Sequence, residues 1–272
     1  MLVDHHCHLD FPDYEASLPE VIARAHSAGV SAMVTISTHI RRFDRLRAII
    51  DRHPSVYASI GTHPHNADDE RGISPAEIIA LSMHPRVVAI GEAGLDYYYQ
   101  RSTRQNQADG FRAHIAAARQ TGLPLEIHTR DADADTQAIL IEEHAKGAFP
   151  AILHCYTGGR ELALRAVDLG LYVSFTGVVS FKKSQTLRDL ANEIPLNRIL
   201  VETDAPFLAP EPFRGRTNEP AYVVHTAAAL AKARGITLEE FAAATTANFF
   251  RLFTKAQRPA SDARRTPGER TA

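Results

Sequence analysis

Residues 87–128 read VVAIGEAGLDYYYQRSTRQNQADGFRAHIAAARQTGLPLEIH, and this segment contains the pattern of a strand, a helix and a second strand. A short apolar run ends at Glu92, a long stretch with helical periodicity covers Arg104–Thr121, and a second apolar run ends at His128. Two strands that are joined through a helix run parallel in one sheet. The segment therefore predicts one βαβ unit of an α/β protein.

The same alternation continues along the chain. Apolar runs rich in β-branched residues recur eight times, at 1–6, 32–37, 56–61, 87–92, 124–128, 151–154, 172–175 and 199–202. Segments with helical periodicity separate or follow them, at 18–28, 40–52, 75–83, 104–121, 134–146, 160–169, 184–193 and 221–233. Strict alternation of eight strands with eight helices favours a closed TIM (β/α)8 barrel over an open doubly wound sheet.

The end of the chain adds one helix and a tail to this pattern. A further helix is predicted over 238–253, because Thr237 and Glu240 before and within it have the spacing of a capping box. We expect residues 1–254 to form a single barrel domain, since the chain of 272 residues has the length of one TIM barrel. Residues 255–272 have almost no apolar content and are expected to form a flexible tail.

Composition limits the classes of protein that fit this chain. Hydrophobic residues make up 44% and charged residues 23%, which is ordinary for a globular protein. A net charge of −2 argues against a generally basic nucleic-acid coat, so an anionic substrate needs a local basic patch. The first residues show no basic segment followed by an apolar run, and no later apolar run has the length of a membrane span. The only cysteines, Cys7 and Cys155, each adjoin a histidine. We expect a cytoplasmic protein without membrane contact or an obligate protein partner.

Ionisable side chains stand where the predicted strands stop. His6 and His8 lie two positions apart at the end of the first strand, so both imidazoles can face one ion, while His5 and Cys7 are expected to point the other way. The carboxyl ends of the strands in a β/α barrel meet at one rim, where active sites are built. Without partners, buried polar groups there would cost several kcal/mol each. Later strand ends supply Glu92, His128, His154 and Asp204.

Four imidazoles and two carboxylates exceed what one tetrahedral ion needs, so we expect two divalent ions bridged by Glu92. A water shared between the ions would attack as hydroxide, and Asp204 is placed to accept its proton. Glu92 and Asp204 are thus the expected catalytic residues. Zinc or manganese suits the imidazoles, and a hydrated, carboxylate-rich second site also suits magnesium. One ion would be held by His6, His8 and Asp204, and the other by His128 and His154.

Seven segments of the chain form a recognisable series. They are DHHCHLD (4–10), IGTHPH (60–65), GEAGLDY (91–97), IHTRDA (127–132), LHCYTG (153–158), VETDAPFLAP (201–210) and RGRTNEP (214–220). In this order they resemble the TatD family of metal-dependent deoxyribonucleases, within the wider amidohydrolase-like barrels. The departures are His5 in place of the usual Thr, Ala93 in place of Ile or Val, and Tyr156-Thr157 in place of Phe-Ser. None removes a metal ligand, but they leave substrate preference open.

The resemblance implies a divalent-metal centre on the six strand-end residues and hydrolysis of phosphodiester bonds at the 3′ end of DNA, acting on DNA ends or single strands. It also places Glu202 beside the site and His63 and His65 near the substrate. The alternative is amide or ester hydrolysis, such as removal of a D-amino acid from tRNA, because hydroxide attacks either bond. Some relatives bridge their ions with a modified lysine, whereas Lys182 and Lys183 follow a different strand here. A metal-binding scaffold without activity is the third interpretation.

Basic residues also follow several strands and predict a positive rim for an anionic substrate. Each of them taken alone is more simply explained as a solvated side chain. Arg214 and Arg216 are the stronger candidates, because the loops after strands 7 and 8 commonly hold phosphate in this fold. The tyrosines at 97–99 either stack on a splayed base or anchor their own loop. The predicted rim consists of Arg101, Arg104, Arg130, Lys182, Lys183, Arg214 and Arg216. The residues assigned to substrate binding are His63, His65, Arg130, Glu202, Arg214, Arg216 and Asn218.

Overall fold

The computed structural model describes residues 1–258 and confirms the (β/α)8 barrel, with eight parallel strands that pair in chain order. A parallel bridge between Cys7 and Ala205 joins the ends of the first and last strands and nearly closes the barrel. The strands are β1 (Leu2–Cys7), β2 (Val30–Thr35), β3 (Val56–Ile60), β4 (Val87–Asp96), β5 (Leu125–Arg130), β6 (Ala151–Leu153), β7 (Tyr172–Phe175) and β8 (Ile199–Val201).

The helices occupy the predicted segments with small shifts at their ends. Two of them begin later than expected, because a 3₁₀ turn at Ile40–Arg42 and another at Pro220–Tyr222 precede the α-helical part. The helices are α1 (Leu18–Ser27), α2 (Phe43–Arg52), α3 (Pro75–Ser82), α4 (Arg104–Thr121), α5 (Asp133–Ala145), α6 (Arg160–Asp168), α7 (Gln185–Glu193), α8 (Val223–Arg234) and α9 (Leu238–Leu252). None of the helices within residues 1–258 is long and apolar enough to cross a membrane.

Helix α9 is the predicted extra helix, and it closes the bottom of the barrel. Its capping box is formed, since Glu240 N donates to Thr237 Oγ1 at 3.1 Å and Thr237 N donates to the Glu240 carboxylate at 2.9 Å. At its other end Phe249, Leu252 and Phe253 are buried against the apolar side chains that fill the barrel interior. Because these side chains fill the bottom of the barrel, the carboxyl ends of the strands form its open end.

Strand β4 continues beyond the residue at which the sequence predicts its end. It runs to Asp96, and its register with β5 shifts between Gly91 and Ala93. Glu92 is therefore the extra residue of a β-bulge, and its N–H donates to Ser37 O at 3.2 Å. Bulges next to active sites redirect side chains, and this one turns a mid-strand carboxylate towards the barrel axis.

Strand β1 is also irregular, and this corrects the expected direction of His5. The pairing of β1 with β2 shifts between Asp4 and Cys7, which breaks the simple alternation of side chains. His5 and His6 consequently both reach Glu126 inside the barrel, at 3.1 and 3.3 Å. The prediction that His5 points away from the His6 side of the strand was wrong.

The chain remains packed on the barrel just after α9. Lys255 Nζ donates to the carbonyl oxygens of Ser82 and His84, each at 2.8 Å. This contact lies at the point where the sequence predicts the flexible tail to begin. Residues 259–272, which make up most of that predicted tail, lie outside the described residues.

Candidate metal centre

The predicted ligands meet around Glu92. His154 Nε2 lies 2.8 Å and His128 Nδ1 2.9 Å from Glu92 Oε1, and His6 Nε2 lies 3.5 Å from the other oxygen, Oε2. The imidazole of His6 stacks on that of His154, with ring centroids 3.8 Å apart. Each oxygen of Glu92 therefore faces a different set of imidazoles, which is the arrangement expected of a carboxylate shared by two ions.

Asp204 and His8 form the more open side of the cluster. His8 Nε2 lies 3.3 Å and His6 Nε2 3.8 Å from Asp204 Oδ1. Asp204 follows β8 in a left-handed backbone conformation with φ of 55°, and its N–H donates to His6 O at 2.9 Å. Its side chain is 15% exposed, against 2% for Glu92. Asp204 is thus the more accessible of the two carboxylates.

Three buried atoms of this cluster, on His6, His8 and Glu92, lack hydrogen-bond partners within the described residues. His6 Nε2 and Glu92 Oε2 make no hydrogen bond within the described residues, although they lie 3.5 Å apart. A buried polar atom without a partner costs about 1–3 kcal/mol. A divalent cation between them would satisfy both atoms, and imidazole with carboxylate is a donor set that zinc and manganese accept. The residues therefore fit a metal ion.

The charges within the cluster are compatible with cation binding. Burial alone would raise the pKa of Glu92, but the charge of His154 and the hydrogen bond from His128 hold it well below its usual range. Burial would lower the pKa of His154, but Glu92 and Glu202 raise it well above its usual value. Glu92 is consequently ionised, and its negative charge suits a metal cation.

His63 comes as close to Glu92 as His6 does. His63 Nε2 lies 3.5 Å from Glu92 Oε1, and His63, Glu92 and His128 have ligand atoms close enough together to hold an ion. However, His65 N donates to His63 Nδ1 at 3.0 Å, so the proton of the neutral ring lies on Nε2. Burial lowers the pKa of His63 well below its usual value and keeps the ring neutral. His63 therefore presents an N–H donor to the site.

Three of the four predicted ligand imidazoles, those of His6, His128 and His154, each have a further carboxylate beside the nitrogen that points away from Glu92. Such contacts fix the ring orientation and the tautomer of a metal-binding histidine. The three carboxylates come from β4, β5 and the end of β8, so the barrel itself positions them. The pairs are His6 Nδ1 with Glu126 Oε2 at 3.3 Å, His128 Nε2 with Asp96 Oδ2 at 3.2 Å, and His154 Nδ1 with Glu202 Oε1 at 3.2 Å.

Glu126 and His5 form a buried layer beneath the ligands that the sequence did not reveal. His5 Nδ1 lies 3.1 Å from Glu126 Oε1, and His5 Nε2 lies 2.8 Å from Glu202 Oε2. Burial would lower the pKa of His5, but these two carboxylates raise it to about 10. A signal for Glu126 existed, because it lies two positions before His128 in an apolar strand and shares its face. His5 had no such signal, since its direction depends on the irregularity in β1.

Asp96 is a second residue to which the sequence assigned no role. Its Oδ2 lies 2.9 Å from His65 Nε2 and 3.2 Å from His128 Nε2, and its Oδ1 accepts from Tyr98 N and Tyr99 N at 3.0 Å each. Burial opposes ionisation, but the hydrogen bonds from His128 and His65 hold the pKa of Asp96 well below its usual range. Asp96 thus links the histidine cluster to the tyrosine loop.

Two residues that were assigned to the substrate side are fully buried. Glu202 faces His154 and accepts from Cys155 N at 2.6 Å. Asn218 donates through Nδ2 to Thr203 O at 2.9 Å and to Phe207 O at 2.6 Å. Neither lines the cavity described below. Both side chains contact other groups of the fold, so a substrate contact of either residue stays a prediction.

A cavity of about 860 Å³ opens above the cluster. Its volume lies in the range of roughly 300–1,000 Å³ that is typical of ligand sites. Arg101 and Arg130 of the predicted rim line it. Arg42 and Arg45, for which the sequence predicts no role, line it as well. Histidines 63 and 65 also lie in its wall, where the resemblance places them.

The other predicted rim cations lie away from this cavity. The guanidinium of Arg104 lies 3.8 Å from the centre of the Tyr97 ring, and that of Arg214 lies 4.3 Å from the centre of the Phe181 ring. Arg214 and Arg216 are exposed and do not line the cavity. A contact of these two arginines with the phosphates of a longer substrate stays a prediction.

Comparison with known proteins identifies the family. A family model described as TatD related DNase matches residues 3–254. The chain belongs to this family. The match confirms the resemblance stated from the sequence, and the protein is a metal-dependent hydrolase with a TIM barrel.

Three relatives show how much of this TatD-family chain is shared. The uncharacterized metal-dependent hydrolase YcfH of Escherichia coli K12 is 42% identical over 255 residues, which cover 93% of this chain and 95% of YcfH. The 3'-5' ssDNA/RNA exonuclease TatD of Salmonella typhimurium is 38% identical over 239 residues, which cover 86% of this chain and 92% of the relative. The crystal structure of YjjV, a TatD homolog from E. coli K12, has a TM-score of 0.86 at 28% identity and covers 93% of this chain and 98% of YjjV.

Proposed function

We propose that this TatD-family protein is a nuclease that removes nucleotides from the 3′ ends of single-stranded DNA. The observation that carries the proposal is the wall of the cavity, where Arg42, Arg45, Arg101 and Arg130 surround a candidate metal centre. Guanidinium groups remain charged at every physiological pH and match phosphate geometry, so four of them suit a substrate with several phosphates. The similarity to the Salmonella relative, which is named a 3'-5' ssDNA/RNA exonuclease, supports this substrate class.

Two divalent ions are part of the proposal, with zinc, manganese and magnesium as candidates. When bound, the ions would lower the pKa of a water molecule and offset negative charge on the scissile phosphate. Glu92 has one oxygen towards each half of the cluster and is ionised, so it is the residue that we assign as the bridge. One ion would be held by His6, His8 and Asp204, and the other by His128 and His154.

The remaining steps fall to the side chains around the cavity. Asp204 lines it and is the more exposed carboxylate of the cluster, so we assign to it the proton of the attacking water. His63 offers a neutral N–H, which can donate to a phosphate oxygen without being charged itself. Arg130 lies at the end of β5, and its positive charge attracts the sugar–phosphate backbone of the DNA substrate.

The cysteines suit a reducing compartment, and we propose the cytoplasm. Cys7 and Cys155 are both free thiols. Disulfides are rare in cytosolic proteins, where thiols are kept reduced.

Release of nucleotides from end-labelled single strands tests the nuclease. Asp204→Asn and His128→Ala should abolish metal-dependent release, whereas His26→Ala should not. His26 is the matched control, because its ring bonds Val30 O and Ser55 Oγ away from the cluster. Full activity in a folded, metal-loaded Asp204→Asn protein would contradict the assigned roles.

Blocked substrates test the direction and the class of the reaction. A strand blocked at its 3′ end should resist digestion, and one blocked at its 5′ end should be degraded. The same samples are assayed in parallel on aminoacyl-tRNA and on small lactones and amides. Turnover of those substrates in the absence of nucleotide release would replace the nuclease proposal with the ester or amide hydrolase alternative.

A further inference from the structure

One wall of the cavity is apolar and stands beside the accessible side of the cluster. Phe11 stacks on the His8 ring with centroids 4.8 Å apart, and Phe207 meets both rings edge-on, at 5.9 Å from Phe11 and 6.3 Å from His8. Leu208 follows in the same wall. We call Phe11, Phe207 and Leu208 the apolar wall. Phe207 follows Asp204 by three residues, so this wall adjoins the proposed base.

Folding alone does not account for the exposure of this wall. Phe207 is 50% exposed and Leu208 37% exposed, so both gain only part of the hydrophobic stabilisation of a buried side chain. Leu208 also has a left-handed backbone with φ of 56°, which costs a non-glycine residue about 1–2 kcal/mol. Strain of this kind is concentrated at binding and catalytic sites.

The backbone that carries the wall is nevertheless firmly held. Phe207 N donates to Asp204 O at 2.9 Å, and Phe207 O accepts from the buried Asn218 Nδ2 at 2.6 Å. Asn218 also holds Thr203 O, just before Asp204. An exposed phenyl ring on an anchored backbone is a fixed contact surface and not a frayed loop.

The side of the barrel across from this wall is basic. In a ring of eight strands that pair in order, β4 and β5 lie across from β8 and β1. Arg101 and Arg130, which follow β4 and end β5, line the cavity with Tyr99. A ligand that spans the cavity therefore needs an apolar, flat group at one end and negative charge at the other. A nucleotide at the end of a DNA strand has both.

We propose that the apolar wall stacks the terminal nucleobase of the strand, with Phe207 as the main contact. This inference rests on the proposed nuclease function and adds a base-binding subsite to it. Aromatic stacking accepts any base, because every base has a π-face. The subsite would thus select strand ends that carry a base, with little preference among the four bases.

Two oligonucleotides that differ only in their 3′-terminal residue test the contact of the base with Phe207. Phe207→Ala should lower kcat/KM about 5- to 150-fold on a strand with an ordinary 3′-terminal nucleotide, mainly through KM, because stacking is worth about 1–3 kcal/mol per base. On a strand that ends in an abasic residue, wild type should already be slow, and Phe207→Ala should change nothing further. Phe207→Trp should restore activity on the ordinary end. Met83→Ala is the control, since Met83 is exposed and does not line the cavity.

A fluorescence measurement separates this inference from the nuclease proposal. The probe is a DNA strand with 2-aminopurine as its 3′-terminal base and a hydrolysis-resistant last linkage. Stacking should quench the 2-aminopurine fluorescence when the strand binds wild type, but not when it binds Phe207→Ala. Quenching without any nucleotide release from DNA would support the base subsite and overturn the nuclease. Release without quenching, or an equal loss for Phe207→Ala on both ends, would overturn the base subsite.

Discussion

Replacing Glu126 by glutamine tests whether the buried layer beneath the ligands sets metal affinity. The two carboxylate oxygens of Glu126 face His5 Nδ1 at 3.1 Å and His6 Nδ1 at 3.3 Å. In Glu126→Gln one oxygen becomes an NH₂ group, which is a donor facing a nitrogen that also carries a proton. If that group faces His6, the ring proton has to move to Nε2, the atom 3.5 Å from Glu92 Oε2. This is the nitrogen on which metal binding depends.

The expected magnitudes follow from the burial of these contacts. A hydrogen bond to a charged group contributes about 1.5–3 kcal/mol, so loss of one with partial loss of the other should lower the free energy of unfolding of metal-free protein by about 2–4 kcal/mol. Partners behind metal-binding histidines account for about 10- to 100-fold in metal affinity. We therefore expect the dissociation constant for zinc or manganese to rise by about 10- to 100-fold.

Calorimetric titration of metal-stripped protein gives the affinity, and urea unfolding gives the stability. Glu70→Gln is the matched control, because Glu70 is a buried carboxylate that accepts from Ile40 N at 3.0 Å and Arg41 N at 2.9 Å and contacts no predicted ligand. It should destabilise the fold and leave metal affinity unchanged. The reasoning is refuted if Glu126→Gln binds metal within about two-fold of wild type, or if Glu70→Gln weakens metal binding equally.

Three further predictions concern stability and substrate binding. Chelation of metal held at about 100 times its dissociation constant should lower Tm by roughly 5–10 °C, measured by scanning calorimetry; an unchanged Tm would contradict a bound ion. Burial lowers the pKa of His114 to about 4. The stabilisation of the fold that comes from burying this neutral ring is therefore complete above pH 6.5 and is lost as pH falls towards 4. His114→Gln should therefore lose about 3 kcal/mol less than wild type between pH 7 and pH 4 in urea unfolding, and an equal loss would exclude this residue. Arg130→Ala should reduce the slope of log binding constant against log salt for single strands by about 0.7, and an unchanged slope would show that Arg130 meets no phosphate.

The sequence was sufficient for the barrel, and the strand-end residues that it predicts as ligands lie together around Glu92. Apolar runs and helical periodicity depend on local spacing, so β-strand order and the capping box at Thr237 could be predicted. The bulge at Glu92 and the direction of His5 could not, because both arise from the pairing of strands distant in sequence. Arg42 and Arg45 were also missed, since their place in the cavity depends on how α2 begins.

The buried layer has a consequence for how this barrel is stabilised. TIM-barrel interiors are usually filled by branched apolar side chains. Here the interior contains a column of polar side chains. His5 packs on Phe253 and contacts Glu126 and Glu202. These two carboxylates in turn contact the imidazoles of predicted ligands. Each carboxylate in this column has an imidazole on either side, so removing one member leaves a buried charge without its partner. Because the same contacts hold the predicted ligands, we expect fold stability and metal affinity to be coupled through the barrel core.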